Sequence, residues 1–245
     1  MPPFKLTRDR LRRLTPKTVV TQFDCGDADL NEFLLKDAPP STAQLMTVTY
    51  LVMDDTGTDV AAFFSLSNDK LTYDPAPSNI TLKILAWIAH AISRIGSCFR
   101  RSDGNNNPPT AEVGARTIWN RINRRIPNLK RRKSYPAVKV GRLGVAAKYQ
   151  SSGLGGEILD LLKMAFVCDN KTGCRFITVD AYNNPRTMKF YQKNDFDFLI
   201  TSDEKEDTRQ MYFDLQPFYK LSLQSSQQPV GLTGNLLQNV PPLVP

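Results

Sequence analysis

The sequence predicts an α/β fold that contains six to seven strands with helices between them. Its composition is that of a globular chain, since 41% of the 245 residues are hydrophobic and 23% are charged. Residues 1–67 follow the order strand, helix, strand, strand. Further along, a strand leads through a glycine-rich loop into an amphipathic helix, and the next strand leads into another helix. This alternation of strands and helices is typical of the α/β class.

Alternating and β-branched patterns predict four elements before residue 67. They are a strand at Lys17–Phe23, a helix at Ala28–Asp37, and strands at Thr47–Met53 and Val60–Leu66. Gly26 and Asp27 precede the helix as a start signal. Asp54-Asp55-Thr56-Gly57 is a turn sequence, so the last two strands are expected to form a hairpin.

The same reading predicts six elements after residue 136. Four are strands, at Ala137–Val145, Arg175–Val179, Phe196–Ile200 and Gln210–Leu215, of which the last two form a pair. Two are helices, one with its apolar stripe from Leu154 to Ala165 and one from Pro185 to about Lys193. A Gly/Ser loop at Lys148–Gly156 joins the first strand to the first helix. Asn184 is the expected N-cap of the second helix, because Pro185 suits the first helical position.

One domain is expected over residues 1–220, interrupted by a basic helical insertion at about 73–134. Apolar spacing within the insertion predicts helices at Leu82–Ile95 and from Ile118 to Pro127. After Lys220 the chain has no charged residue and contains four prolines, so we expect residues 221–245 to form a disordered tail.

The net charge of +8 comes from one stretch of the chain. Arg116–Arg142 holds ten Lys or Arg and no Asp or Glu. Such a run is either a solvated helix face or a surface for an anionic partner. The candidates for contact with nucleic acid are Arg121, Arg124, Arg125, Lys130, Arg131, Arg132 and Lys133.

Several classes of site are disfavoured. His90 is the single histidine and lies in a predicted amphipathic helix. A catalytic triad, which would have to use it, is therefore disfavoured. No cysteine pair has CxxC spacing, and we expect no metal site. Cys168 and Cys174 either pair or, as we favour, remain free thiols in a reducing cytoplasm. There is no apolar run of about 18 residues, so no membrane span is expected.

The loop Gln150-Ser151-Ser152-Gly153-Leu154-Gly155 lies between a strand and a helix start. A helix N-terminus presents free N–H groups and the positive end of its dipole, which suits a phosphate. The loop matches neither the P-loop nor the dinucleotide fingerprint, so ATP and GTP are disfavoured. The alternative is a glycine-rich turn that only starts a helix.

Two motifs resemble those of the Gcn5-related N-acetyltransferase (GNAT) family. Gln150-x-x-Gly153-x-Gly155, after Arg142-Leu143-Gly144-Val145, is similar to motif A of that family. Val179-Asp180-Ala181-Tyr182-Asn183-Asn184-Pro185, followed by Phe190-Tyr191 and Phe196, is similar to motif B. The resemblance covers Lys17–Leu215 apart from the insertion. It implies a mixed, mostly antiparallel sheet with two splayed central parallel strands.

The sequence departs from the family pattern at two positions. Ser151 replaces a usual glycine, and we expect a negative-φ or helical backbone there to accommodate it. Asp195 replaces the glycine of the closing Gly-Phe pair, and we expect it to adopt the left-handed conformation of a helix C-terminus.

The resemblance implies acetyl-coenzyme A as cofactor and direct transfer of the acetyl group to an amine. The implied cofactor-binding residues are Leu143, Gly144 and Val145 for the pantetheine arm, Gln150, Ser151, Ser152, Gly153, Leu154, Gly155 and Gly156 for the diphosphate, and Asn184. Tyr191 matches the tyrosine that protonates the departing thiolate. Its alternative role is that of a core aromatic.

The segment Phe23–Leu34 is similar to the opening of the acetyltransferase toxins of bacterial toxin–antitoxin pairs. That resemblance implies a cytoplasmic enzyme that acetylates aminoacyl-tRNA, with tRNA and an antitoxin protein as partners. Two alternatives stay open: an ordinary N-acetyltransferase for a small-molecule, polyamine or protein amine, and a binding module without activity. The homodimeric state, the general base and the acceptor also stay open.

Overall fold

A seven-stranded sheet with helices on both faces forms the fold of the computed structural model. The structure describes residues 6–72, 134–168, 170, 172–200 and 203–225. The strands are β1 (Leu11–Arg13), β2 (Val48–Met53), β3 (Val60–Thr72), β4 (Ser134–Val145), β5 (Phe176–Tyr182), β6 (Asp197–Phe198) and β7 (Thr208–Asp214). The helices are α1 (Ala28–Glu32), α2 (Ala38–Ala43), α3 (Leu154–Cys168), α4 (Pro185–Lys193) and α5 (Leu215–Ser225).

The sheet is mixed and mostly antiparallel, as predicted. Its strand order is β1-β2-β3-β4-β5-β7-β6, and only β4 and β5 pair in parallel. The pairing of β4 with β5 extends over three residue pairs, from Ala137–Phe176 to Lys139–Thr178. Beyond Lys139 the two strands diverge, because β4 continues to Val145 and β5 to Tyr182 without further pairing.

A β-bulge lies where β4 leaves β5. Ser65 of β3 pairs with Arg142 and Leu66 pairs with Val140, so Gly141 is an extra residue in β4. A bulge bends its strand and increases the local twist. It therefore turns the end of β4 away from β5.

Alternate residues of the sheet bury two apolar faces. Tyr50, Val52 and Phe64 pack with α3 and α4 in the larger cluster. Leu51 and Phe63 point the other way and pack with α1 and α2. Successive side chains of a strand point to opposite faces of the sheet, so β2 and β3 supply apolar residues to both clusters.

The predicted strand at Lys17–Phe23 is wrong, and the edge strand is Leu11–Arg13. The segment after β1 is irregular: Thr15 and Thr18 form a turn, and Val19 is 82% exposed. Phe23 is buried because its ring packs on that of Phe63 at 5.2 Å between centroids. Tertiary contact therefore outweighs the β-branched composition of this segment.

The first helical segment is longer than predicted. The first helical segment continues past Asp37 to Ala43, through a π-turn at Phe33–Asp37. The prolines that follow fall in the first turn of α2, where a missing N–H is tolerated.

The last helix runs past the predicted domain boundary at Lys220. α5 extends to Ser225, because buried Leu215 and the ring of Phe218, 6.2 Å from that of Phe213, attach it to the core. Residues 226–245 and the predicted helices at Leu82–Ile95 and Ile118–Pro127 lie outside the described residues. The insertion joins the last pair of a long β3–β4 hairpin, Thr72 and Ser134.

α4 ends in a Schellman motif around Asp195, which has the predicted left-handed conformation with φ +64°. The amide of Phe196 donates to the carbonyl of Tyr191 (3.1 Å), and the amide of Asp195 donates to that of Gln192 (3.0 Å). The rings of Tyr191 and Phe196 lie 5.5 Å apart and supply the usual apolar contact of this motif. The motif therefore fixes the position of Tyr191.

We expect Asp195→Gly to be more stable than Asp195→Ala by about 1 kcal/mol, because only glycine adopts this φ without strain. Both variants lose the same contact with Lys163, whose Nζ lies 3.8 Å from Asp195 Oδ2. The difference therefore reports the backbone alone. Urea unfolding measures it, and equal stability of the two variants would contradict the strain.

Candidate active site

The divergence of β4 and β5 opens a cleft of about 1070 Å³. Its walls come from the end of β4, the loop after it, the start of α3, the end of β5 and one face of α4. The predicted site residues that line it are Leu143, Gly144, Val145, Gln150, Ser151, Gly153, Leu154, Gly155, Gly156, Asn184 and Tyr191. Motifs that are far apart in sequence therefore share one cleft.

Two groups of predicted residues lie elsewhere. Ser152 is exposed in the same loop but does not line the cleft; its hydroxyl donates to the carbonyl of Tyr149 at 2.7 Å. The predicted nucleic-acid contacts lie outside the described residues, namely Arg121, Arg124, Arg125, Lys130, Arg131, Arg132 and Lys133.

The loop before α3 takes its shape from two left-handed residues. Gly153 has φ +94° and Ser151 has φ +62°. The expectation of a negative φ at Ser151 is therefore wrong: the chain keeps the conformation that suits glycine and accepts the strain of a side chain there, about 1–2 kcal/mol. The cost indicates that neighbouring contacts fix the loop.

The first turn of α3 directs backbone N–H groups into the cleft. Its first internal hydrogen bond runs from the amide of Glu157 to the carbonyl of Gly153 (3.1 Å). The amides of Gly155 and Gly156, which precede it, have no partner within the helix. A helix start with unpaired amides and a positive dipole end suits a phosphate group.

Helix packing leaves little room for a side chain at the two glycines of this turn. A Cβ on Gly155 would lie 3.2 Å from ring atoms of Phe190, and one on Gly156 would lie 3.3 Å from Asn194 Oδ1. α3 therefore approaches α4 closely at this end. On β4, a Cβ on Gly144 would lie 2.5 Å from Phe63, so a side chain cannot fit there.

Gln150 holds the loop with its side chain. Its Nε2 donates to the carbonyl oxygens of Cys25 (2.7 Å) and Val145 (3.1 Å), and its Oε1 accepts from Arg186 (3.2 Å). Its own amide donates to the carbonyl of Ala147 at 3.3 Å. Gln150 is therefore suited to fixing the loop rather than to donating its amide to a ligand.

Tyr191 belongs to both the core and the cleft. It is 8% exposed, and its ring lies 5.1 Å from Phe190 and 5.5 Å from Phe196. Among the described residues, no hydrogen bond reaches its hydroxyl. Burial raises the pKa of Tyr191 above its ordinary value, so the phenol stays protonated at neutral pH.

Sequence reasoning missed the cationic residues Arg186 and Lys193 of α4, which also line the cleft. They share one helix face with Phe190, because positions 186, 190 and 193 are four and three residues apart. The same spacing, read along the helix predicted from Pro185, could have identified both cationic residues from the sequence.

The described part of the chain lacks the side-chain groups of a metal site and the kind of helix that spans a membrane. It contains no group of three His, Cys, Asp or Glu side chains arranged to hold a metal ion. None of its helices combines the length and the apolar character that crossing a membrane requires.

We expect Gln150→Glu to lower the free energy of unfolding by at least about 2 kcal/mol, because a carboxylate cannot donate to the two carbonyl oxygens. Gln192→Glu makes the same change at an exposed position of α4 and serves as control. Denaturant unfolding compares them. Equal effects of the two variants would show that the Gln150 bonds do not hold the loop.

No protein-family model matches the chain, whereas solved structures do. AtaT complexed with acetyl-methionyl-tRNAfMet is 18% identical, with a TM-score of 0.56 over 86% of this chain and 98% of that one. A tyrosine-to-phenylalanine mutant of KacT is 18% identical, with a TM-score of 0.53 over 86% and 99%. A mutant AtaT toxin bound to the C-terminus of the antitoxin AtaR and acetyl-CoA is 16% identical, with a TM-score of 0.50 over 86% and 96%. The chain therefore has a GNAT-like fold, which it shares with AtaT and KacT.

Proposed function

We propose that the protein is an acetyl-CoA-dependent N-acetyltransferase. The observation that carries the proposal is the cleft beside two diverging parallel strands, because a helix start with unpaired amides and a buried tyrosine both line it. The fold shared with AtaT, which has been solved with acetyl-CoA, supports it. In this proposal residues 1–220 act as one catalytic domain that carries the insertion at about 73–134.

The diphosphate of the cofactor would bind at the start of α3. Gly155 and Gly156 offer backbone amides there, and Gly153 and Ser151 direct the loop around the ligand. Arg186 and Lys193 add positive charge on the facing helix, so the electrostatic fit to an anion does not depend on the helix dipole alone.

The pantetheine arm would lie along the free edge of β4. Leu143, Gly144 and Val145 pair with β3 on one edge only, because β5 has diverged. In a strand, alternate residues direct their N–H and C=O groups to opposite edges, so this edge offers strand-like hydrogen bonds to an amide-bearing chain.

Bound acetyl-CoA supplies a thioester whose C–S bond breaks as the acceptor nitrogen forms its bond to the acetyl carbon. Tyr191 would donate its phenolic proton to the departing sulfur and regain one from solvent, which also takes the proton that the amine loses. Burial keeps the phenol protonated, because its pKa lies above the ordinary value near 10. The phenol would therefore enter the reaction with a proton to donate.

The proposed acceptor is the amino group of an aminoacyl-tRNA. AtaT has been solved with acetyl-methionyl-tRNAfMet and, as a mutant, with its antitoxin. The basic run Arg116–Arg142 would add affinity for tRNA phosphates. A cytoplasmic location, an antitoxin partner and a homodimer remain parts of the proposal.

We expect Ser151→Asp to bind acetyl-CoA at least about tenfold more weakly than Ser151→Asn, which corresponds to about 1.4 kcal/mol. Both side chains tolerate the left-handed conformation and have the same shape, so only the added negative charge near the diphosphate differs. Isothermal calorimetry with acetyl-CoA measures the ratio. Equal affinities in two folded variants would show that the diphosphate does not bind at this loop.

We expect Tyr191→Phe to slow acetyl transfer about 10²–10⁴-fold while acetyl-CoA affinity stays the same, since only the acid is lost. Labelled acetyl-CoA is offered with aminoacyl-tRNA, spermidine and a peptide, and products are read by mass spectrometry. Tyr149→Phe, another cleft-lining tyrosine, is the control.

Three outcomes would contradict parts of this assignment. Wild-type turnover in Tyr191→Phe, or an equal loss in Tyr149→Phe, would make Tyr191 a packing residue. A label found only on spermidine or the peptide would replace the tRNA acceptor by one of those amines.

A further inference from the structure

A buried lysine in the middle of α3 has no part in the reaction described above. Lys163 lies among the buried residues of this helix, which include Leu159 and Leu162, and its side chain is 4% exposed. An ammonium group loses most of its hydration at such a position, which costs free energy. A methionine would fill the same space without that cost. The amine is therefore explained by its contacts and not by its volume.

The amine of Lys163 reaches groups on three elements. Its Nζ donates to Asp160 Oδ1 at 3.2 Å within α3, lies 4.7 Å from the centre of the Phe213 ring of β7, and lies 3.8 Å from Asp195 Oδ2 after α4. The side chains of Asp160 and Asp195 are 69% and 80% exposed, so both carboxylates keep much of their hydration. The buried amine depends on these three contacts instead.

The contact with Asp195 is made where the chain fixes Tyr191. Asp195 is the left-handed residue of the Schellman motif, in which the amide of Phe196 donates to the carbonyl of Tyr191 at 3.1 Å. A cation is favourable there, because the C-terminal end of a helix is the negative end of its dipole. The rings make a second connection, since Phe213 lies 5.8 Å from Phe196, which lies 5.5 Å from Tyr191. Lys163 therefore supports Tyr191 through a polar contact and through aromatic packing.

Two separate contacts join α3 to α4. At the start of α3, Gly155 and Gly156 pack closely against Phe190 and Asn194. Lys163 makes the second contact seven residues further along α3, which is about 10 Å at the rise of an α-helix. One contact alone lets a helix rotate about it, whereas two contacts fix its direction. The second contact thus controls how α4, which carries the phenol, is oriented to the helix start that suits a phosphate.

We propose that Lys163 is a positioning residue for Tyr191: by holding Asp195 it fixes the end of α4 against α3, and thereby the distance from the phenol to the diphosphate turn. This inference rests on the proposed function, in which that phenol protonates the departing sulfur. Lys163 does not line the cleft. Its charge serves geometry and not stability, since an apolar replacement of a buried charge is often neutral or stabilising.

Lys163→Met tests the inference, because it keeps the length of the side chain and removes its charge. We expect the free energy of unfolding in urea to stay the same or to rise. The dissociation constant for acetyl-CoA should stay the same, since the amides of Gly155 and Gly156 are unchanged. With acetyl-CoA and aminoacyl-tRNA, kcat should fall at least about tenfold at an unchanged KM for acetyl-CoA, because a displacement of about 1 Å can cost a hundredfold in rate.

Two carboxylate variants separate the contacts of the amine. Asp195→Asn keeps a side chain that tolerates the left-handed backbone and removes the charge, so it should lower kcat as Lys163→Met does. The double variant should lose no more than either single variant, because both changes break one contact. Asp160→Asn is the control: it removes the nearer carboxylate, which belongs to α3 itself, and should leave kcat unchanged.

The position of Tyr191 can also be read without the reaction. NMR spectra of the full chain with isotope-labelled tyrosine give a signal for the Tyr191 ring, which Tyr191→Phe assigns. That signal should shift in Lys163→Met and in Asp195→Asn, because the rings around Tyr191 move relative to it. It should stay in place in Asp160→Asn.

Wild-type kcat in Lys163→Met, an unshifted Tyr191 signal, or an equal loss in Asp160→Asn would overturn the inference. So would a loss of stability in Lys163→Met that matches its loss of activity, because Lys163 would then be a core residue only. Failure of the proposed function looks different, since the wild type would then neither bind acetyl-CoA nor transfer the acetyl group. The Tyr191 signal would still show whether Lys163 fixes the position of that ring.

Discussion

The limited pairing between β4 and β5 is the constraint on which the rest of the molecule depends. Parallel pairing ends at Lys139 and Thr178, although both strands continue. Backbone groups on the two free edges must find other partners, since buried N–H and C=O groups are rarely left unpaired. The unpaired edges of β4 and β5 in the middle of the sheet therefore offer hydrogen bonds to a ligand. The bulge at Gly141 bends β4 at this point, so the local conformation of the strand favours the divergence.

Contacts on either side keep the cleft from closing or widening. Gln150 ties the loop after β4 to the turn at Cys25 and, through Arg186, to α4. Close packing of α3 on α4 at Gly155 sets the distance between the helix start and Tyr191. These interactions are polar or steric and therefore directional, unlike the apolar core behind them. Rigidity of this kind lowers the cost of ordering a ligand site on binding.

Local chemistry explains which elements the sequence could predict. Asn184 caps α4 by accepting from the amide of Thr187 (2.9 Å), and residues three positions apart suffice for that bond. Asp195 was foreseen for the same reason. Lys17–Phe23 failed because Phe23 is fixed by Phe63, forty residues away, and not by its own neighbours. Asp29 and Tyr182 are 153 residues apart, so nothing in either segment reports their hydrogen bond.

Affinity and specificity for a nucleic acid acceptor would arise in different parts of this chain. Outside Arg116–Arg142 the chain has 22 basic and 24 acidic residues, so attraction to a polyanion cannot come from the remainder as a whole. In the cleft, Lys139 pairs with Asp180 and Arg142 with Asp29, so these charges compensate one another and give little long-range attraction. A basic run acts on any phosphate backbone within reach. The compensated ion pairs in the cleft act only on a ligand in direct contact with them, so any discrimination by this face of the sheet is short-range.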